Sequence, residues 1–202
     1  MSLVEYSVRD GVAVVSFSSP PVNSLSLALR RELAAAIERA HADPGARALV
    51  LIGAQGTFCA GADIREFDRG EMQLEPNLWN LNSLLEDGPK PAVAAIEGVA
   101  LGGGLEIAMS CHYRIAHEAA KLGLPEVKLG LLPGAGGTQR LPRLIGVEAA
   151  LNVMISGEPV PAKAFAGTPL LDRIVSGGLA EAAVRFANEV ADTVAAHPGQ
   201  PL

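Results

Sequence analysis

Two carboxylates stand among apolar neighbours. Glu106 lies in "ALGGGLEIAM" and Glu126 in "LGLPEVKLG", 20 positions further on. Apolar surroundings raise a carboxyl pKa towards neutrality, and a group that titrates near the working pH is the one best suited to exchange protons. Gly102, Gly103 and Gly104 sit between a buried strand pattern and a helix pattern. With no Cβ in the way, the backbone there admits a ligand closely. The first N–H groups of the helix, at its positive dipole end, point at the same space and suit a negative oxygen. "FCAGADI" is a second glycine-containing turn, able to offer a backbone N–H from a separate part of the chain. "LPGAGGTQRLPRLIG" supplies small residues for the wall of a narrow channel, before a helix expected to start at Thr138. Taken singly, each feature has a plainer explanation, since glycine runs are commonly turns and a lone helical Glu is commonly solvated.

The elements that must position these groups follow from periodicity. "VEYSVRDGVAVVSF" reads as two strands joined by the hairpin dipeptide Asp10-Gly11. Ser26 is the expected N-cap of a helix whose Leu29, Leu33, Ile37 and Ala40 line one face, stopped by Asp43-Pro44-Gly45. "RALVLIG" is a strand covered on both faces, residues 54 to 62 form a loop, and Leu78, Leu81 and Leu85 mark a helix ending at Gly88-Pro89. "PAVAAIEG" reads as one strand leading into the glycine triplet, and "LEIAMSC" as the helix after it. Beyond residue 138 helical patterns dominate, with a short strand at "LDRIV" and the tail "HPGQPL". Alternating strand and helix argue for an α/β protein with a layered sheet.

The bulk numbers exclude several functions. A chain of 202 residues that is 49% hydrophobic can bury one sizeable core. Sixteen basic against 22 acidic residues give a net charge of −6, and with 4% aromatics and no basic run, nucleic acid is not an expected partner. Cys59 and Cys111 have neither disulfide-framework nor metal-ligand spacing and read as buried fillers in a reduced compartment. "MSLVEYSVRD" does not resemble a secretory signal. The longest apolar region, 91 to 109, is interrupted by Glu97 and Glu106 and is a poor membrane span. "GAGGTQ" lacks the third glycine of a dinucleotide fingerprint, and no phosphate-loop motif occurs. His117-Glu118 is followed by Lys121 where a zinc-protease motif needs histidine, so no metal is indicated. The nucleophile-elbow motif of serine hydrolases is absent.

The order and spacing of "PPVNSLS", "GTFCAGADI", "KPAVAAIEGVALGGGLEIAMSCHYRIA" and "GLPEVKLGLLPGAGGTQRLPRLIG" resemble the enoyl-CoA hydratase/isomerase (crotonase) family, most closely the hydratase part of multifunctional β-oxidation enzymes. The likeness spans residues 20 to about 146 and continues more weakly to about 190. It implies a ClpP/crotonase fold, layered β-sheets surrounded by helices, as one domain over 1–202 with its core in 1–190 and the usual C-terminal helical region shortened. It further implies that a thioester carbonyl is held by the backbone N–H groups of Ala62 and Gly103. Glu106 then activates water for the β-carbon, and Glu126 exchanges a proton at the α-carbon. The "PPVNSL" segment and residues 60 to 65, with Ala60, Asp63, Ile64 and Arg65 among them, would line the pantetheine and adenine path, with Arg65 available to phosphates and Asp63 serving chiefly as a helix cap. Gly102 would also bind substrate, while Pro125 and Gly134 shape the acyl channel.

No cofactor is implied beyond the coenzyme A of the substrate. The implied reaction is hydration of a 2-enoyl-CoA in fatty acid β-oxidation, with Δ3,Δ2-enoyl-CoA isomerisation as the alternative, and a non-catalytic acyl-CoA-binding scaffold as an alternative of another class. Family members commonly continue for about 60 residues of helices that build a trimer, or continue into a 3-hydroxyacyl-CoA dehydrogenase. A homotrimer and a longer multifunctional chain are therefore the two expected settings. Without a signal peptide or a C-terminal peroxisomal tripeptide, the expected location is cytoplasmic. Pro169 stands where relatives carry glycine before "LLDRIV", so its missing N–H is expected to alter that turn.

Overall fold

A computed structural model describes residues 2–67 and 69–196, so "HPGQPL" and the reading of the C-terminus lie outside the described residues. Asp10 and Gly11, both at positive φ, join β1 (Val4–Arg9) to β2 (Val12–Phe17) in antiparallel register. Ser26 accepts a hydrogen bond from the Leu29 N–H and opens α1 (Leu27–Ala42), on which Leu29, Leu33, Ile37 and Ala40 are all buried as their spacing requires. β3 (Ala48–Gly53) follows. Asn77 and Asn80 form a reciprocal cap at the start of α2 (Leu78–Glu86), which again buries its three periodic leucines.

The chain then runs through β4 (Ala92–Ile96), β5 (Val99–Leu101), α3 (Gly103–Ser110), β6 (Tyr113–His117) and β7 (Lys121–Gly123). After these come α4 (Gly137–Ile145), α5 (Val147–Ser156), β8 (Val160–Pro161), β9 (Arg173–Val175) and α6 (Leu179–Ala196). Six strands form one sheet in the order β1-β2-β3-β4-β6-β9, parallel except for β1. A second sheet has the order β5-β7-β8.

Strand alternation divides the core in two. Val12, Val14, Ala48, Val50, Val93, Ala95 and Ile115 meet α6 through Ala183, Phe186, Ala187 and Val190. Their sequence neighbours Ala13, Val15, Leu49, Leu51, Ala94 and Ile96 face the other way, towards α1, α2 and α3. Each fully buried Val, Leu or Ile contributes roughly 1.5–3 kcal/mol, so covering both faces explains why these strands read as nearly continuous apolar runs.

Four local expectations change. "PAVAAIEG" does not run as one strand into the triplet. β4 ends at Ile96, Gly98 turns the chain at φ 61°, and β5 joins the smaller sheet. A Cβ on Gly98 would stand 2.3 Å from the Gly56 carbonyl oxygen, so only glycine fits this switch between sheets. α3 starts within the triplet, at Gly103, and α4 starts at Gly137 rather than Thr138. Pro169 occupies the second position of a turn closed by the Leu171 N–H and the Thr168 carbonyl, where proline is favoured and its missing N–H is not needed. Among the described residues, no helix is long and apolar enough to cross a membrane.

The sheet switch generates a test. Gly98→Ala should destabilise the protein by about 2 kcal/mol or more, through both the clash and the left-handed backbone. A urea unfolding midpoint unchanged from the parent would contradict the assignment.

Candidate active site

The site begins with two main-chain amides. Ala62 is paired to Leu25 by a parallel bridge, in which the Leu25 N–H donates to the Gly61 carbonyl at 2.9 Å. In such a bridge Leu25 bonds to the residues flanking Ala62, so the N–H of Ala62 itself is left facing away from the ladder. Gly103 is the first residue of α3, and its N–H belongs to the turn that has no partner within the helix. The two come from distant parts of the chain yet sit side by side, since a Cβ on Gly103 would stand 3.5 Å from the Ala62 nitrogen. Both residues line a cavity of about 370 Å³. Neither N–H has a hydrogen-bond partner among the described residues, and two such groups at one wall of a cavity offer hydrogen bonds to a carbonyl oxygen that gain strength as charge builds on it.

Glu106 and Glu126 line the same cavity, and their environments differ. Glu106 is 2% exposed on α3. Its Oε1 accepts hydrogen bonds from the Ala135 N–H at 2.7 Å and the Gly137 N–H at 2.8 Å. Burial raises its pKa, while these two bonds and the charge of Arg140 pull the other way. Glu126 sits in a short 3₁₀ turn over Pro125–Leu129, and its Oε1 lies 3.2 Å from where a Cβ of Gly102 would be. Its buried Oε2 has no hydrogen-bond partner among the described residues. Burial pushes the Glu126 carboxyl up to about 7, partly offset by its own backbone N–H and helped by the neighbouring charge of Glu106. One acid is therefore clamped, and the other is close to half-protonated at neutral pH with an oxygen to spare.

A profile of the enoyl-CoA hydratase/isomerase family matches residues 7–200. The chain belongs to that family. It is 51% identical over 180 residues to the peroxisomal bifunctional enzyme of Danio rerio, covering 89% of this chain and 25% of the relative. It is 45% identical over 192 residues to the glyoxysomal fatty acid beta-oxidation multifunctional protein MFP-a of Brassica napus, covering 91% and 26%. The crystal structure of an enoyl-CoA hydratase from Bacillus anthracis is similar at a TM-score of 0.85 and 36% identity, over 94% of this chain and 76% of that one. The chain thus spans about a quarter of the length of the multifunctional relatives.

This hydratase/isomerase family member gathers part of the residue set expected from its sequence. Ala62, Gly103, Glu106, Glu126 and Gly134 line the cavity, and Gly102 and Pro125 flank Glu126. Ala60, Asp63, Ile64 and Arg65 are not among the cavity-lining residues. The Ala60 N–H bonds to the Val22 carbonyl, and Ile64 is 62% exposed. Asp63 is buried and caps the 3₁₀ turn Ile64–Glu66, also accepting from the Arg65 guanidinium at 2.6 and 2.8 Å, which holds its carboxyl below the usual range. The Arg65 side chain otherwise faces solvent.

Sequence reading missed the cradle of Glu106. "GAGG" provides the two amides, and the Ala135 carbonyl is held in turn by the Asn82 side chain at 2.7 Å and by Arg140 at 3.1 Å. Asn82 is 1% exposed on α2. A polar residue on the buried side of a leucine-rich helix was its only signal. Phe67, Met72, Leu78, Trp79, Leu131 and Leu132 complete an apolar lining with no motif of their own.

The acid environments predict a pH-dependent stability. Glu126 has a folded pKa of about 7 against an ordinary 4.5, so between these values the unfolded chain loses its proton first and stability falls as pH rises. Glu126→Gln removes that loss. Its Tm relative to the parent should climb from pH 4.5 to 7 and level off above, whereas a difference independent of pH would refute the assigned shift.

Proposed function

We propose that this chain adds water across the 2,3 double bond of a 2-enoyl-CoA to give a 3-hydroxyacyl-CoA. One observation carries the reading: two amides without a hydrogen-bond partner among the described residues and two desolvated carboxyls share the wall of a single, mostly apolar cavity. With the thioester oxygen between the N–H groups of Ala62 and Gly103, addition at the β-carbon builds enolate charge where those donors already point. Each such donor is worth about 100- to 1,000-fold in rate in other enzymes. Glu106, fixed through Oε1 by Ala135 and Gly137, keeps its second oxygen to orient and deprotonate water. Glu126, near half-protonated at neutral pH, hands a proton to the α-carbon. The Brassica napus relative, a fatty acid beta-oxidation multifunctional protein, supports a place for this step in fatty acid β-oxidation.

A second reading has its own support. The unpartnered Oε2 of Glu126 lets that acid alone move a proton between the α- and γ-carbons, which is isomerisation of a 3-enoyl-CoA. Loss of the ultraviolet absorbance of a short 2-enoyl-CoA separates the readings. The parent should hydrate it, and Glu106→Gln and Glu126→Gln should each lower kcat by about 100- to 10,000-fold. Reaction of 3-enoyl substrates only, with Glu106→Gln unaffected, would establish isomerisation instead. Binding of CoA esters with no turnover of either would leave an acyl-CoA-binding scaffold.

A further inference from the structure

The largest fully buried side chain is a charged one, Arg30, at 0% exposure on the first turns of α1. Its guanidinium donates to the Glu66 carboxylate at 2.8 Å, the Leu25 carbonyl at 2.8 Å, the Glu71 carbonyl at 2.8 Å and the Pro76 carbonyl at 2.9 Å. Four of its five N–H donors are thereby used. The other oxygen of Glu66 accepts from the Leu27 N–H at 2.6 Å, at the first residue of α1. Leu25 is the residue whose bridge turns the Ala62 N–H outward, and Glu66 lies four residues beyond Ala62. Glu71 and Pro76 bracket Met72 and Gln73, which line the cavity. The segment 62–77, with only two 3₁₀ turns of regular structure among its described residues, is thus tied at Glu66, Glu71 and Pro76 to one helix by one cation, which also holds the Leu25 carbonyl beside the Ala62 bridge.

Stability does not explain this arrangement well. A buried ion pair often contributes no more than apolar residues of the same volume, because desolvation of two charges offsets their attraction. What a rigid five-donor fork does supply is geometry. We infer that Arg30 and Glu66 are positioning residues for the Ala62 amide and for the cavity wall that follows it, so that the aim of one N–H donor to the ligand's carbonyl is set by an ion pair outside the cavity. The inference rests on the proposed use of Ala62 as that donor.

The test uses the full chain and three readouts. Arg30→Met/Glu66→Gln removes the pair without leaving an unpaired carboxylate. Glu66→Gln alone keeps the acceptor for Leu27 and serves if the double variant does not fold. Expected in a folded variant are a kcat for 2-enoyl-CoA hydration lowered about 10- to 100-fold, as for misplacement of a reacting group by an ångström or less, and a smaller red shift of the absorbance of bound 2,4-hexadienoyl-CoA. Amide hydrogen exchange should quicken within 61–77 and stay at parent values in β2, β3 and β4. A merely structural pair would lower the amount of folded protein while leaving the red shift per bound ligand at the parent value, and that result overturns the inference. So does unchanged exchange in 61–77, which holds whether or not the parent is active. A parent that neither hydrates nor red-shifts its ligand, yet shows the local change in exchange, would refute the proposed reaction and with it the role at the Ala62 donor, leaving the pair as the anchor of the cavity wall alone.

Discussion

A main-chain N–H can be offered to a ligand only if the secondary structure around it does not consume it. Both amides at the centre of this site escape consumption for different reasons. Ala62 occupies the position of a parallel bridge whose hydrogen bonds run to its neighbours, and Gly103 begins a helix, where the first N–H groups have no carbonyl behind them. Bringing the two together requires the change of sheet at Gly98, because a strand continuing past Ile96 would carry the triplet along the large sheet rather than beside Ala62. The cavity exists where these two exceptions meet.

The pair of carboxyls shows how identical groups acquire different tasks. Both are desolvated, and both are raised by it. Glu106 receives two backbone hydrogen bonds and so is held in place, while Glu126 has an oxygen without a protein partner and a carboxyl near neutrality. The difference arises in backbone rather than in residue type, through the turn that precedes α4.

How much was legible in the sequence follows the same division. Elements announced by side-chain periodicity were read correctly: the hairpin at Asp10-Gly11, the face of α1 from Leu29 to Ala40, and the leucines of α2. Glu106 and Glu126 stand out as isolated acids in apolar runs, Ala62 and Gly103 follow from the family resemblance, and the geometry brings all four to one cavity. Features made by backbone hydrogen bonds left no pattern to read. The cradle from Ala135 and Gly137 was seen only as a run of small residues. Nothing in a linear sequence separates Asn82 and Arg30 from other polar positions on amphipathic helices, because it does not show which carbonyls a folded loop will bring to them. Residues 63–65, close to Ala62 in sequence, fall outside the cavity lining because the chain leaves the wall immediately after Ala62 and curls into a 3₁₀ turn, while Ala60, before it, is bonded to the Val22 carbonyl.

The placement of α6 has a consequence of its own. It lies across the face of the large sheet opposite α1, α2 and α3, against Val12, Val50, Val93 and Ile115, while the amides and acids belong to the near side. A sheet about 10 Å from the layer it packs against therefore stands between ballast and chemistry. Sequence drift along α6 can retune how firmly the protein holds together while the reacting groups keep their bearings, so durability and turnover are free to evolve on separate surfaces of the same strands.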